Sequence, residues 1–265
     1  MPFTISHAAA ALPVHALSKA RLPLAALMVG SMAPDFAYFL PWDFVRVETH
    51  GLIGLFAFCL PVGLPAWLFY VLLLERPTLA FLPESWRTRV HPSGPLNPRA
   101  LLTGCVAIVI GAITHLVWDA FTHASTPVVN ALPGFRSALL EVDGVYVPLY
   151  FALQVVSSVI GLAALLVWAS RIRRRVRLPH EAQVARMMPA VTDFERVLAL
   201  MFAGAMSVAG GFFNVARTEG LSGDSAHFYL LIGGMCGAAV AWSMLAVAIR
   251  FRARTVRLAA QAGAD

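Results

Sequence analysis

The stretch GAITHLVWDAFTHAS, residues 111–125, closes a run apolar enough to cross a bilayer, yet it carries His115, Asp119 and His123 at four-residue steps. On an α-helix each such step advances about 400°, so the three side chains drift only modestly around one face. Two imidazoles and a carboxylate at that spacing can converge on Zn²⁺ or a similar divalent ion and leave a coordination position for water. A hydrated helix end accounts for one polar residue there. It accounts poorly for three ligand-type side chains in register.

Three more residues of the same chemical type join them. Asp35 lies in GSMAPDF, His50 in ETHGLIG and His7 in TISHAAAA. Taken singly, His7 and His50 read equally well as mildly polar helix caps. Ionisable groups at membrane depth are expensive to keep and usually mark function. Four of these histidines follow a hydroxyl residue: Ser6-His7, Thr49-His50, Thr114-His115 and Thr122-His123. Such hydroxyls are candidates for the outer hydrogen bonds that set ring tautomer and orientation, although sequential neighbours on a helix point in different directions.

The elements that must position these residues are membrane helices. The 265-residue chain is 59% apolar and only 13% charged, far too little polar surface for a soluble domain of this length. Segments near 51–74, 100–118, 147–169, 196–216 and 227–249 each approach or reach the roughly 20 apolar residues that a crossing needs. The fold class expected is therefore all-α, a polytopic membrane helix bundle with about five full transmembrane helices and a short N-terminal helical hairpin. Residues 1–265 read as one integral membrane domain: a re-entrant hairpin over 1–50, a bundle over 51–250, and a cytoplasmic tail over 251–265. The closing AAQAGAD reads as disordered. Cys59, Cys105 and Cys236 lie inside apolar segments without paired spacing, so neither a disulfide framework nor a thiolate metal site is expected.

Residues 1–50 hold two apolar pieces, about 5–17 and 22–34, on either side of a SKAR tip. Each is roughly 20 Å long at 1.5 Å per residue, too short for an ordinary crossing. A hairpin of the two sends Lys19 and Arg21 to one side and returns His7 and Asp35 to the other. Re-entrant segments of this kind are tolerated only when packed within protein. The competing reading is a single crossing over 22–40, which would remove His7 from the ligand set. MPFTISHAAAA has no basic region before its apolar run, so a cleaved signal peptide is not expected.

The net charge of +6 is distributed as a topology signal. Four arginines fall in 75–99, seven in 170–196 and four after 249, with Lys19 and Arg21 beside them; only Arg46, Arg136 and Arg217 fall on the other side. This asymmetry places the basic loops in the cytoplasm and the candidate ligands on the periplasmic or outer face of an inner membrane. The RIRRRVR run at 171–177 then reads as an anchor on anionic headgroups rather than a nucleic-acid patch, and no nucleic-acid partner is expected. His91 and His180 lie in basic loops on the wrong side for the site, and His15 reads as a packed residue. Trp42, Trp118 and Tyr146 suit the interfacial aromatic belt. Gly210-Gly211 and Gly233-Gly234 read as close helix-packing positions.

Together, SHAAAALP, GSMAPDFAYF, THGLIGLF and GAITHLVWDAFTH resemble an uncharacterised bacterial membrane family, domain of unknown function 4184. That family in turn resembles, more distantly, membrane-bound metal-dependent hydrolases of the YdjM type. The ligand order alone is similar to that of zinc-dependent phospholipase C. Carried over residue by residue, the resemblance implies a metal set of His7, Asp35, His50, His115, Asp119 and His123, with Asp35 or Asp119 bridging ions or acting as general base. Two departures favour one or two ions over a trinuclear cluster: His7 is not the N-terminal residue, and no His-x3-Glu follows His123. Glu141, Asp143 and His227 stand in reserve. The activity expected is hydrolysis of a phospholipid or lipid-linked phosphoester at the outer interface, with membrane lipids as partners. The reading from a different class is a metal- or lipid-binding scaffold or a small transporter; transport is disfavoured because the ionisable groups gather at one face rather than around paired broken helices.

Overall fold

Five helices are long and apolar enough to cross a membrane, where the sequence places its five spans: Leu52–Phe81, Pro98–Ala131, Leu149–Ile172, Asp193–Ala216 and Tyr229–Thr255. They are compatible with a multi-pass membrane protein. The computed structural model describes residues 4–40, 46–87, 89–90, 92–142, 145–172, 191–216 and 223–262. Trp42, His91, Asp143, His180 and residues 173–177 of the basic run lie outside the described residues, as does the side chain of His227.

The main helices are numbered in chain order. Helix α1 (Ala11–Leu17) is entered through 3₁₀ turns over Thr4–Ala10, and α2 (Leu24–Met32) continues as 3₁₀ turns over Ala33–Phe39. Between them the tip turns through Lys19 (φ 51°) and Ala20 (φ 60°). His15 Nδ1 lies 2.8 Å from the Leu22 carbonyl, tying the two arms together. The hairpin reading thus holds over the single crossing, and His15 serves the turn. Next comes α3, the span Leu52–Phe81, then α4 (Pro98–Thr122), α5 (Leu149–Ile172), α6 (Asp193–Ala216) and α7 (Gly223–Ala262). Pro61 and Pro65 each remove a backbone donor inside α3, and the helix widens to π-type turns over Leu55–Cys59 and Tyr70–Leu74.

Two features depart from the sequence reading. A small antiparallel hairpin, β1 (Ala138–Val142) with β2 (Val145–Pro148), follows α4; ALLEV and VYVP are too short to stand out against the flanking apolar spans. Helix α7 runs on to Ala262, so the first residues of AAQAGAD extend the basic helix, in keeping with the strong helix propensity of alanine and glutamine. The described residues gather into two compact units. The first is Met1–Trp67 with Gly94–Arg171, the second Leu68–Ser93 with Ile172–Asp265.

In the first unit α2 lies against α4 at backbone contact distance. A Cβ on Gly30 would stand 2.2 Å from the Ile108 carbonyl oxygen, and one on Gly111 would stand 2.3 Å from that of Leu27. Small residues at such a crossing let two backbones approach where lipid offers no hydrophobic drive to hold helices together. Ala33, Leu55, Phe58, Cys59 and Ala112 form a buried cluster beside this crossing. The 3₁₀ turns carrying His7 press on α5, since a Cβ on Gly161 would lie 2.8 Å from the Ser6 carbonyl oxygen. In the second unit α6 and α7 run antiparallel and meet at the expected glycines: a Cβ on Gly210 would be 2.3 Å from the Gly233 oxygen. Trp242 Nε1 donates to Thr78 Oγ1 at 2.8 Å within the same unit.

Two measurements check this packing. Gly111→Leu, an overpacked helix contact of the kind that costs about 1–3 kcal/mol, is expected to lower the melting midpoint and the monodisperse yield in detergent. Gly204→Leu, whose added Cβ meets nothing within 4 Å, leaves both unchanged. In a variant lacking the three native cysteines, Ser6→Cys, at a position with no exposed surface, is expected to resist maleimide. Adding Gly161→Leu exposes it to labelling.

Candidate functional site

Each of the six ligand-type residues arrives on its own structural device. His7 sits within the 3₁₀ turns of Thr4–Ala10, and Asp35 within those of Ala33–Phe39 just after Pro34. His50 follows the short helix Arg46–Thr49 at the turn into α3. That turn is tight: a Cβ on Gly54 would be 2.4 Å from the Glu48 carbonyl oxygen. His115 and Asp119 stand one turn apart on α4. His123 is the residue that ends α4, in an extended conformation (φ −127°, ψ 133°), so it leaves the helical register that its spacing implies.

All six converge within the first unit. His115 and Asp35 have no exposed surface, Asp119 is 3% exposed and His7 8%. His115 Nε2 lies 3.5 Å from Asp35 Oδ1 and 3.4 Å from Asp119 Oδ2. His50 Nε2 faces the same two carboxylates, at 3.3 Å from Asp35 Oδ1 and 3.7 Å from Asp119 Oδ2. His7 Nε2 approaches Asp119 Oδ1 at 3.6 Å, and its ring stacks on that of His115 with centroids 3.9 Å apart. His123 Nδ1 stands 3.3 Å from Asp119 Oδ1. Asp119 is therefore the hub, with two imidazoles on each oxygen.

Could this arrangement hold a metal? Two sets of three ligand atoms, His7–Asp35–His115 and His50–His115–Asp119, each lie within 4.8 Å of one another. Neither Asp35 oxygen nor His115 Nε2 has a hydrogen-bond partner among the described residues, although all three are buried. Buried polar atoms of this kind are normally satisfied, and a divalent cation among two carboxylates and three imidazoles satisfies them. The residues fit. Both sets share His115 Nε2, whose single lone pair serves one ion, so they describe one cage more naturally than two complete sites. His123 belongs to neither set.

The His115 ring is held ready for such a role. Its Nδ1 lies 2.8 Å from the Ser31 carbonyl oxygen, so the ring proton is on Nδ1 and the Nε2 lone pair points into the cluster. That carbonyl is available for a local reason. In a continuing α-helix it would accept from the amide of residue 35, and in a 3₁₀ turn from that of residue 34. Pro34 has no amide hydrogen, and the 3₁₀ pattern over Ala33–Phe39 directs the next amide to residue 32. The motif SMAPD thus places Asp35 and frees the carbonyl that orients His115.

The hydroxyl pairs divide. Thr49 Oγ1 lies 2.7 Å from His50 Nδ1 and Thr122 Oγ1 3.2 Å from His123 Nδ1, as the sequence suggests. Thr114 Oγ1 instead donates to the Gly111 carbonyl and leaves His115 to Ser31. Sequence reasoning misses Gln154, a buried residue of α5 whose Nε2 lies 2.9 Å from His123 Nε2. A lone glutamine inside an apolar span was the available signal. Trp118 is not only an interfacial residue: its Nε1 donates to Ser157 Oγ at 2.9 Å and its ring lies 5.2 Å from His7. Tyr146 is 67% exposed, and Glu141 is exposed on β1 and belongs to neither ligand set.

Comparison with known proteins covers nearly the whole chain. The profile of one family, described as a domain of unknown function (DUF4184), matches residues 1–249. No curated protein and no solved structure matches, so the likeness to YdjM-type hydrolases and to phospholipase C gains no support. The match takes in both compact units and every residue of the buried cluster; the chain belongs to the DUF4184 family.

Proposed function

We propose that this protein is a membrane-embedded, metal-dependent hydrolase whose ion is held by His7, Asp35, His50, His115 and Asp119. The observation that carries the reading is the buried group of mutually facing imidazoles and carboxylates, with both Asp35 oxygens and the His115 Nε2 atom lacking hydrogen-bond partners among the described residues. The donor set of nitrogen and carboxylate oxygen suits zinc. One ion per chain is the expected occupancy because His115 is shared. A second would need Asp35 or Asp119 to bridge. The substrate class we assign is a phospholipid or other lipid-linked phosphoester, because the cluster lies towards one end of α4 rather than at mid-span.

A divalent ion held there supplies Lewis-acid polarisation of a phosphoryl or acyl oxygen and lowers the pKa of water. The chain's own residues do the rest. Ser31 and Thr49 orient the rings of His115 and His50. Burial keeps bulk water out and strengthens every charge interaction in the cluster. Asp119 Oδ1, which faces His7 and His123, is the oxygen placed to accept a proton from an attacking water. Sidedness belongs to the same proposal: an inner-membrane protein with the site towards the periplasm and the basic loops inside.

One observation favours the scaffold reading as the second choice. The cluster is so closed that His115 and Asp35 have no exposed surface, as suits an ion that braces a structure. Substrate cleavage decides between the two.

Zinc titrated into chelator-treated protein in detergent is expected to bind at about one ion per chain. At roughly 100 times its Kd it stabilises the fold by about 2.7 kcal/mol, read as a raised melting midpoint. His115→Ala and Asp119→Ala are expected to lose the shift, the bound zinc and any lipid phosphoesterase activity together; His91→Ala and His180→Ala keep all three. Wild-type protein that binds no divalent ion sinks the metal reading, and zinc binding without cleavage of a panel of phospholipids leaves the scaffold. For sidedness, an impermeant maleimide added outside intact cells is expected to label Asn130→Cys and to miss Arg175→Cys. The reverse pattern turns the site inward.

A further inference from the structure

The residue that ends α4 has a role distinct from that of the ligands before it. Two facts about hydrogen bonding bear on which nitrogen of a neutral His123 ring carries the proton. The Gln154 Nε2 amide, 2.9 Å from His123 Nε2, can only donate, so His123 Nε2 accepts. The Nδ1 side agrees independently. Its neighbours are Asp119 Oδ1 at 3.3 Å and Thr122 Oγ1 at 3.2 Å, and the Thr122 hydroxyl already donates to the Trp118 carbonyl at 3.2 Å. Both neighbours are acceptors, so Nδ1 bears the hydrogen. Turning the Gln154 amide over would reverse the tautomer and set the Nδ1 lone pair against a carboxylate and a hydroxyl lone pair. For a neutral ring, one orientation satisfies all four groups.

We infer that His123 is a positioning residue rather than a metal ligand: Gln154 on α5 engages its Nε2, and its Nδ1–H steers Asp119 so that Oδ2 is presented to His50 and His115. With Nε2 committed to Gln154 and Nδ1 protonated, the ring has no lone pair left for an ion. Asp119 is divided accordingly, with Oδ1 towards His123 and His7 and Oδ2 towards His115 at 3.4 Å and His50 at 3.7 Å. Partners of this outer kind typically change metal affinity by 10–100-fold without changing how many ions bind. This assignment deepens the metal-site reading and rests on it for the zinc arm of the test alone.

The first arm needs no metal. Full-length, chelator-treated protein labelled with ¹⁵N-histidine is expected to show His123 as the Nδ1–H tautomer, assigned by its loss in His123→Asn. Gln154→Leu moves the Nε2 signal, as its hydrogen bond is lost, and keeps Nδ1–H, which still faces Asp119 and Thr122. The second arm is zinc competition against a chromophoric chelator. His123→Ala and Gln154→Leu are expected to weaken zinc about 10–100-fold at unchanged stoichiometry. His123→Asn, whose side-chain amide can stand in for Nδ1–H, stays close to wild type. A wild-type Nε2–H tautomer overturns the inference, and so does loss of a full equivalent of zinc in both His123 variants. Size-exclusion profiles separate these outcomes from misfolding, and Gln154→Leu leaves the ring in place if His123→Ala fails to fold. Should wild-type protein take up no zinc, the hydrolase reading falls while the tautomer arm still decides this one.

Discussion

Two carboxylates lie buried inside an apolar bundle, and that burial is the constraint on which the first unit depends. Asp35 has no exposed surface and Asp119 almost none. An isolated carboxylate in such surroundings would cost several kcal/mol or more, so the chain must bring compensating groups from far away. It brings His7 from the first helical turns, His50 from the turn into α3, and His115 from α4. The short N-terminal hairpin makes sense in this light: it is too short to cross, but long enough to carry His7 and Asp35 against α4. The glycines at the α2–α4 crossing then allow the approach that puts Ser31 within reach of the His115 ring.

Once the carboxylates are fixed, the surrounding hydrogen bonds follow a hierarchy. His115 answers to a backbone carbonyl, His50 to an adjacent threonine, and His123 to a glutamine on another helix. These restraints come from three different elements: a helix end, a turn and a span. The ring held by the backbone is also the one shared by both ligand sets.

Much of this is legible in the sequence because membrane constraints are coarse and one-dimensional. A bilayer dictates span length, and the five apolar runs appear where expected. Hairpin geometry follows from two apolar pieces that are each too short. The six ligand-type residues stand out because charged and imidazole groups are rare in such a chain. What escapes the sequence is relational. The carbonyl of Ser31 carries no compositional signal, since its availability depends on Pro34 and on a change from α to 3₁₀ turns. Gln154 is one polar residue in a span, and only the fold places it beside His123. The His123 spacing matches its helical neighbours, yet the helix stops one residue earlier. The β-hairpin and the division into two units depend on contacts that no periodicity encodes.

The bond from the Ser31 carbonyl to His115 joins positions 84 residues apart, and that separation has a bearing on biogenesis. The N-terminal hairpin leaves the ribosome before α4, carrying Asp35 and His7 without the helix that buries them. It cannot settle into the membrane interior alone, because a short re-entrant pair needs protein around it. The cluster can close only after α4 has been made, because Asp119 and His115 supply most of its contacts. A truncation ending before α4 would leave Asp35 and His7 without the helix against which they pack.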